Sequence, residues 1–253
     1  MKPKIGTIAI SGKGGTGKTA ISAMMIKVLS RDGGPKLMVI DADPAISLPS
    51  ALGIRVRKTV SDLREKLYYT GQNPDVTPGN VPLDMMLEYQ IDDIVVETPE
   101  FNLLAMGRSE GAGCYCLLND LLRYLIEKLS KQFDTVIIDC EAGMEHLSRR
   151  TLRDVNFLFV ITDPTRRGME TAENIKKIAQ DLEIKVGRTC LILNKITEED
   201  KGFLEEQSAE FTGIIPRDNN IIQYDRLGTP ILDLPDDSPA LIAVQDILSR
   251  TLL

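Results

Sequence analysis

Positive charge is in short supply in this chain. Its 30 lysines and arginines face 37 aspartates and glutamates, giving a formal net charge of −7 and a pI near 5.0. That balance argues against a nucleic-acid binder, which would carry a basic face. No window is apolar for long enough to cross a bilayer. No secretory leader is expected, because the first apolar run is strand-length and passes directly into a glycine-rich loop. Internal repeats and low-complexity tracts are lacking. Cysteine is scarce too, and 4 residues argue for core thiols or metal ligands rather than a disulfide framework. The cytoplasm is the expected compartment, with neither membrane nor nucleic acid as a partner.

What is present is an ordinary globular composition over 253 residues, 43% hydrophobic and 26% charged. That length suits a single α/β domain spanning 1–253. Apolar runs at Ile5–Ile10, Leu37–Ile40, Leu103–Met106, Thr135–Ile138, Phe157–Ile161 and Cys190–Leu193 read as buried parallel strands. Helical patterns at Ala20–Leu29, Tyr115–Lys131, Met169–Leu182 and Pro239–Leu252 alternate with them. The alternation predicts a doubly wound, mostly parallel sheet flanked by helices, with ligands at the carboxyl ends of the strands. Residues 71–99 break the rhythm with prolines and acids. They read as an irregular excursion, with a short helix near Asp84–Glu88.

The first strand runs into Gly12-Lys13-Gly14-Gly15-Thr16-Gly17-Lys18-Thr19, which fits the phosphate-loop pattern of a P-loop NTPase. Glycines allow backbone amides to close around phosphate oxygens. Lys18 is placed to reach the β- and γ-phosphates and Thr19 to ligate Mg²⁺, while the following helix points its positive dipole end at the anion. Gly12 through Thr19, with Ala20, are therefore the expected ATP or ADP contacts.

Carboxylates close two further strands. Asp41-Ala42-Asp43-Pro44 follows Leu37–Ile40, and Asp139 follows Thr135–Ile138 ahead of Cys140-Glu141-Ala142-Gly143. At that edge Asp43 and Asp139 are candidates for the magnesium shell, Asp43 also for orienting the attacking water, and Gly143 for a backbone contact to phosphate. Asn194-Lys195 and Pro216-Arg217 also end strands. Asn194 is the candidate reader of the adenine edge, with Pro216 and Arg217 packing on the ring.

These segments together resemble the deviant-Walker family, which includes the septum-site protein MinD, ParA partition ATPases and the nitrogenase iron protein. The resemblance implies ATP-dependent dimerisation. It also implies that Lys13 crosses the interface to the partner's nucleotide and that Asp43 assists hydrolysis. A cation supplied in trans is an arginine-finger device.

Gly113-Cys114-Tyr115-Cys116 precedes a predicted helix, whose dipole favours thiolates, and thiolates are soft ligands for Zn²⁺, Ni²⁺ or iron–sulfur clusters. Two sulfurs are half of a closed tetrahedral set, and a two-fold axis would supply the other half. Cys140 and Cys190 lie in or beside apolar strands and read as core thiols. With Glu141-Ala142-Gly143-Met144-Glu145-His146, the pair resembles the CooC-type nickel-insertion ATPases of carbon monoxide dehydrogenase. That resemblance implies one Ni or Zn ion per homodimer on Cys114 and Cys116, and a nickel enzyme as client. The accessory ATPases of acetyl-CoA synthase and a MinD-like spatial regulator are the alternatives. His146, the single histidine, is a candidate for coupling metal state to nucleotide state.

Overall fold

Successive residues of the central strands point to opposite faces, and both faces are covered, so nearly every strand position is apolar. Ile8 and Ile10 face one core while Ala9 faces the other; Leu37 and Val39 alternate in the same way with Met38 and Ile40. The computed structural model describes residues 4–31, 34–72, 90–108, 115–140, 154–181, 184–206 and 210–252. Its strands are β1 (Gly6–Gly12), β2 (Leu37–Ala42), β3 (Val95–Glu97), β4 (Asn102–Ala105), β5 (Thr135–Cys140), β6 (Asp154–Thr162), β7 (Lys185–Ile196) and β8 (Gly213–Pro216). They form an 8-stranded sheet in the order β3-β4-β2-β5-β1-β6-β7-β8. The pairs are parallel except β3 with β4. This is the predicted doubly wound α/β architecture.

Helices α1 (Lys18–Leu29) and α8 (Pro239–Leu252) close one face through Ile21, Met24, Met25, Leu241, Val244 and Ile247. On the other face lie α3 (Val60–Gln72), α4 (Tyr115–Leu129) and α5 (Arg166–Asp181), the last two burying Leu118, Leu122, Leu125, Ala172 and Ile175. Shorter helices α2 (Ser47–Ala51), α6 (Lys201–Glu206) and α7 (Asn219–Leu227) decorate the loops.

Most differences from the sequence expectations are at element ends. Most strands run one to three residues past their apolar runs on the site side, because the residues there continue the ladder, as Asp41 and Ala42 do with Asp139 and Cys140; β4 instead stops at Ala105, one residue before its run ends. Helix α1 begins at Lys18, two residues before the expected Ala20, since Gly17 with φ 91 turns the chain directly into it. The excursion at 71–99 is not irregular throughout. Residues 90–94 are helical, Ile91 and Ile94 are buried, and Val95–Glu97 adds the antiparallel edge strand. The helix expected near Asp84–Glu88 lies outside the described residues. Helices α2, α3, α6 and α7 were not expected: α2 and α6 are 5 and 6 residues long, α7 contains no buried residue, and α3 is mostly polar, burying Val60 and Leu63 in its first turn.

Phe159 is fully buried on the α1 side of the sheet, whereas Ile242 is 52% exposed. Phe159→Ala is expected to cost about 3–5 kcal/mol of unfolding free energy in urea titrations. Ile242→Ser should stay within about 0.5 kcal/mol of the parent.

Candidate functional site

The carboxyl ends of β1, β2, β5, β6 and β7 converge along one edge of the sheet. In register, Asp139 lies opposite both Ile10 and Asp41, Gly12 opposite Ile161, and Thr162 opposite Leu193. The phosphate loop leaves β1 at Gly12, where a Cβ would come within 2.2 Å of the Ile161 carbonyl oxygen. No residue but glycine fits there. The loop is then braced by its carbonyls. The Lys13 carbonyl accepts from the Thr16 hydroxyl at 2.9 Å and from Lys18 Nζ at 3.3 Å. The Gly15 carbonyl accepts from Lys195 Nζ at 2.7 Å, and that of Thr16 from Asn194 Nδ2 at 2.7 Å. A phosphate is repelled by carbonyl oxygens, so tying three of them to donors makes the loop a better anion cradle.

Two buried carboxylates stand behind it. Asp139 Oδ1 accepts from the Ser22 hydroxyl at 2.8 Å, with the Thr19 hydroxyl and Lys18 also close to the carboxylate. Asp41 accepts the amide of Asp43 at 3.0 Å on one oxygen and that of Leu48 at 3.0 Å on the other. Desolvation dominates both. Burial pushes Asp41 up to about 7, against the hydrogen bonds from Asp43 and Leu48, and Asp139 up to about 6, against Ser22, Thr19 and Lys18. Asp43, half-buried, accepts the amide of Ala45 at 2.8 Å. Asp41 thus braces the segment that carries Asp43, a role the sequence did not reveal.

Lys13 points its ammonium toward Asp163, with Nζ 3.8 Å from Oδ2, and its side chain remains 36% exposed. Sequence reading missed Asp163, although it follows β6 as Asp43 and Asp139 follow or close their strands. Thr19 Oγ1 lies 3.4 Å from Ser47 Oγ.

A cavity of about 480 Å³ continues from Gly17 and Ala20 between Asn194, Lys195, Pro216 and Arg217. The predicted base-pocket residues are therefore brought together. Asn194 has its amide nitrogen bound to the loop, which leaves its carbonyl oxygen for a base. Lys195 was overlooked as a loop brace. Asp218 also lines this cavity, with its carboxylate accepting from Asn220 N at 2.8 Å, Ser238 Oγ at 2.6 Å and Ala240 N at 3.2 Å.

Cys114, Gly143 and His146 lie outside the described residues; Cys116 falls in the first turn of α4, with its side chain outside them. Cys140 and Cys190 are buried free thiols, as expected, and burial pushes both toward the protonated form. Among the described residues, no group of three or more His, Cys, Asp or Glu is placed to hold a metal ion. No described helix is long and apolar enough to cross a membrane.

Comparison with known proteins agrees with this geometry. The model of the CobQ/CobB/MinD/ParA nucleotide-binding domain matches residues 7–231. An ATP-binding protein of Methanocaldococcus jannaschii is 41% identical over 96% of this chain and 97% of its own. The carbon monoxide dehydrogenase accessory protein CooC of Rhodospirillum rubrum is 36% identical over 92% of this chain and 90% of its own. Among solved structures, the septum site-determining protein MinD of Pyrococcus horikoshii, complexed with Mg-ADP, superposes with a TM-score of 0.69 at 20% identity, covering 96% of this chain and 94% of that one.

The two buried acids make stability depend on pH. Each binds its proton more tightly folded than unfolded, so their contribution is complete below about pH 4 and is lost as pH rises through about 6 to 7. The melting temperature of the nucleotide-free protein is expected to fall between pH 5.5 and pH 8, on the order of several degrees. Asp41→Asn should flatten that slope in a thermal scan.

Proposed function

Because this chain belongs to the CobQ/CobB/MinD/ParA family of nucleotide-binding proteins, we propose that it is an ATP-driven metallochaperone, loading nickel or zinc on paired thiolates for a client enzyme. It is a P-loop ATPase. The observation that carries the finer reading is its 36% identity, over nine-tenths of both chains, to an accessory protein of carbon monoxide dehydrogenase. The Cys114-Tyr115-Cys116 pair gives that likeness a chemical purpose. The proposal treats 1–253 as one catalytic domain working in the cytoplasm as a homodimer, with carbon monoxide dehydrogenase or a related nickel enzyme as the client.

In this mechanism the base enters between Asn194, Pro216 and Arg217, and the phosphates lie along Gly12–Ala20. Lys18 neutralises the β- and γ-phosphate oxygens. Thr19 would supply a hydroxyl and Asp139 a carboxylate to the magnesium that accompanies the nucleotide, with Asp43 beside them; all are hard oxygen donors, which suits that ion. Bound magnesium offsets the charge that builds on the phosphate oxygens. Asp43 orients a water whose oxygen attacks the γ-phosphorus, and the bond from that phosphorus to the β-bridging oxygen breaks, leaving ADP. Lys13 exchanges Asp163 for the nucleotide of the facing subunit, so full charge neutralisation waits for the dimer. Cys114 and Cys116 from each subunit then supply four sulfurs to one ion, and hydrolysis separates the halves and frees it. His146, placed on the segment after Asp139, transmits nucleotide state toward the thiolates.

Metal stoichiometry and oligomeric state with ADP, ATP and no nucleotide test this reading. Wild type should hold one Ni²⁺ or Zn²⁺ per two chains, most tightly with ATP. Cys114→Ala should lose the metal and keep ATP. Equal metal binding in all three nucleotide states would overturn the coupling. Lys13→Ala should bind nucleotide normally and hydrolyse it roughly a thousandfold more slowly in a phosphate-release assay.

A further inference from the structure

The loop after β2 contains a backbone conformation that its sequence resists. Ile46 sits at φ 53 and ψ 52, in the left-handed region, where a β-branched side chain is a true outlier. Such geometry persists only where the surroundings over-determine it, and it concentrates at functional positions. The surroundings here are explicit. Ile46 N donates to the Asp43 carbonyl at 3.1 Å, the Leu48 amide is held by buried Asp41 at 3.0 Å, and the Leu48 side chain is fully buried. The residue enclosed by these restraints is Ser47.

Ser47 lines the same roughly 800 Å³ cleft as Gly15, Gly17, Lys18 and Thr19. Its hydroxyl oxygen is 3.4 Å from that of Thr19, whose own hydroxyl reaches Asp139. Two donors held cis on an octahedral magnesium, each at about 2.1 Å, lie roughly 3 Å apart. The pair therefore has nearly the spacing that one ion would impose. Nothing else about Ser47 explains the strain, since no other hydrogen bond orients its side chain among the described contacts.

We propose that Ser47 is a second hydroxyl ligand of the nucleotide's magnesium, held beside Thr19 by the left-handed turn at Ile46 and the Asp41 clamp. The inference rests on the nucleotide site of the reading above and is independent of the thiolate pair. It gives the loop after β2 a means of sensing a loaded metal–nucleotide complex, because the ion would join that loop to α1 where the Thr19 and Ser47 hydroxyls already meet.

The test is a magnesium titration of the full-length protein saturated with a fluorescent, slowly hydrolysed ATP analogue, starting from an EDTA-stripped complex. Ser47→Ala is expected to weaken the magnesium affinity of the complex about tenfold while leaving metal-free analogue binding unchanged. Ser47→Thr should retain wild-type behaviour. Ser47→Cys should bind magnesium poorly and recover with Mn²⁺ or Cd²⁺, whose softer character accepts sulfur. Superimposable titrations for wild type and Ser47→Ala would overturn the proposal. So would an equal loss of metal-free binding in Ser47→Ala, which would make the hydroxyl a nucleotide or structural contact instead. Failure of the thiolate site to bind nickel or zinc leaves all these readings intact and would count against the metallochaperone function alone.

Discussion

The register of the parallel ladder sets the spacing of the whole site. Parallel strands place their carboxyl ends along one edge, and a residue that closes one strand finds its counterpart on the next at a fixed separation. Asp41 and Asp139 are neighbours because β2 and β5 pair in that register, and Gly12 approaches Ile161 because β1 and β6 do. A slip of one residue would turn every core side chain to the wrong face, so the apolar alternation that packs α1 and α8 also holds the chemistry in place. Packing and function share one constraint.

On that edge the chain concentrates negative charge in a place burial makes costly. Asp41 and Asp139 are both buried, and desolvation outweighs their hydrogen bonds. An unliganded protein thus stores an electrostatic tension that cations relieve, and Lys18 is positioned to share in that relief. The same arithmetic explains why the loop carbonyls need partners. Lys195 and Asn194 reach back from β7 to hold them, joining the phosphate cradle to the wall of the base cavity. The phosphate loop and the wall of the neighbouring cavity are therefore one connected piece of structure.

Much of this was readable from the residues. The strands announced themselves because burial on both faces forces long apolar runs, and α8 was found at its true bounds for the same reason. The phosphate loop was legible because its chemistry is local. Asn194 was correctly placed in the pocket wall, but its bond to Thr16 joins residues 178 apart in sequence, and no spacing rule announces such a partner. The role of Asp41 is hidden in the sequence, since a clamp on the Leu48 amide depends on how the next turn folds. The left-handed Ile46 was invisible for a plainer reason: nothing in an isoleucine warns of positive φ. Helix α7 escaped because it buries no residue, leaving no apolar face to detect.

The two cysteines outside the C-x-C pair matter for how the protein can be handled. Cys140 and Cys190 are enclosed by the sheet and its helices, with their thiols driven toward the neutral form. Thiolate is the species that alkylating agents and soft metals attack. In the folded chain these two sulfurs are spectators, released only when the sheet opens. Cys140 and Cys190 therefore add nothing to a thiol count taken under native conditions, and the rise in that count on denaturation becomes an internal gauge of folding.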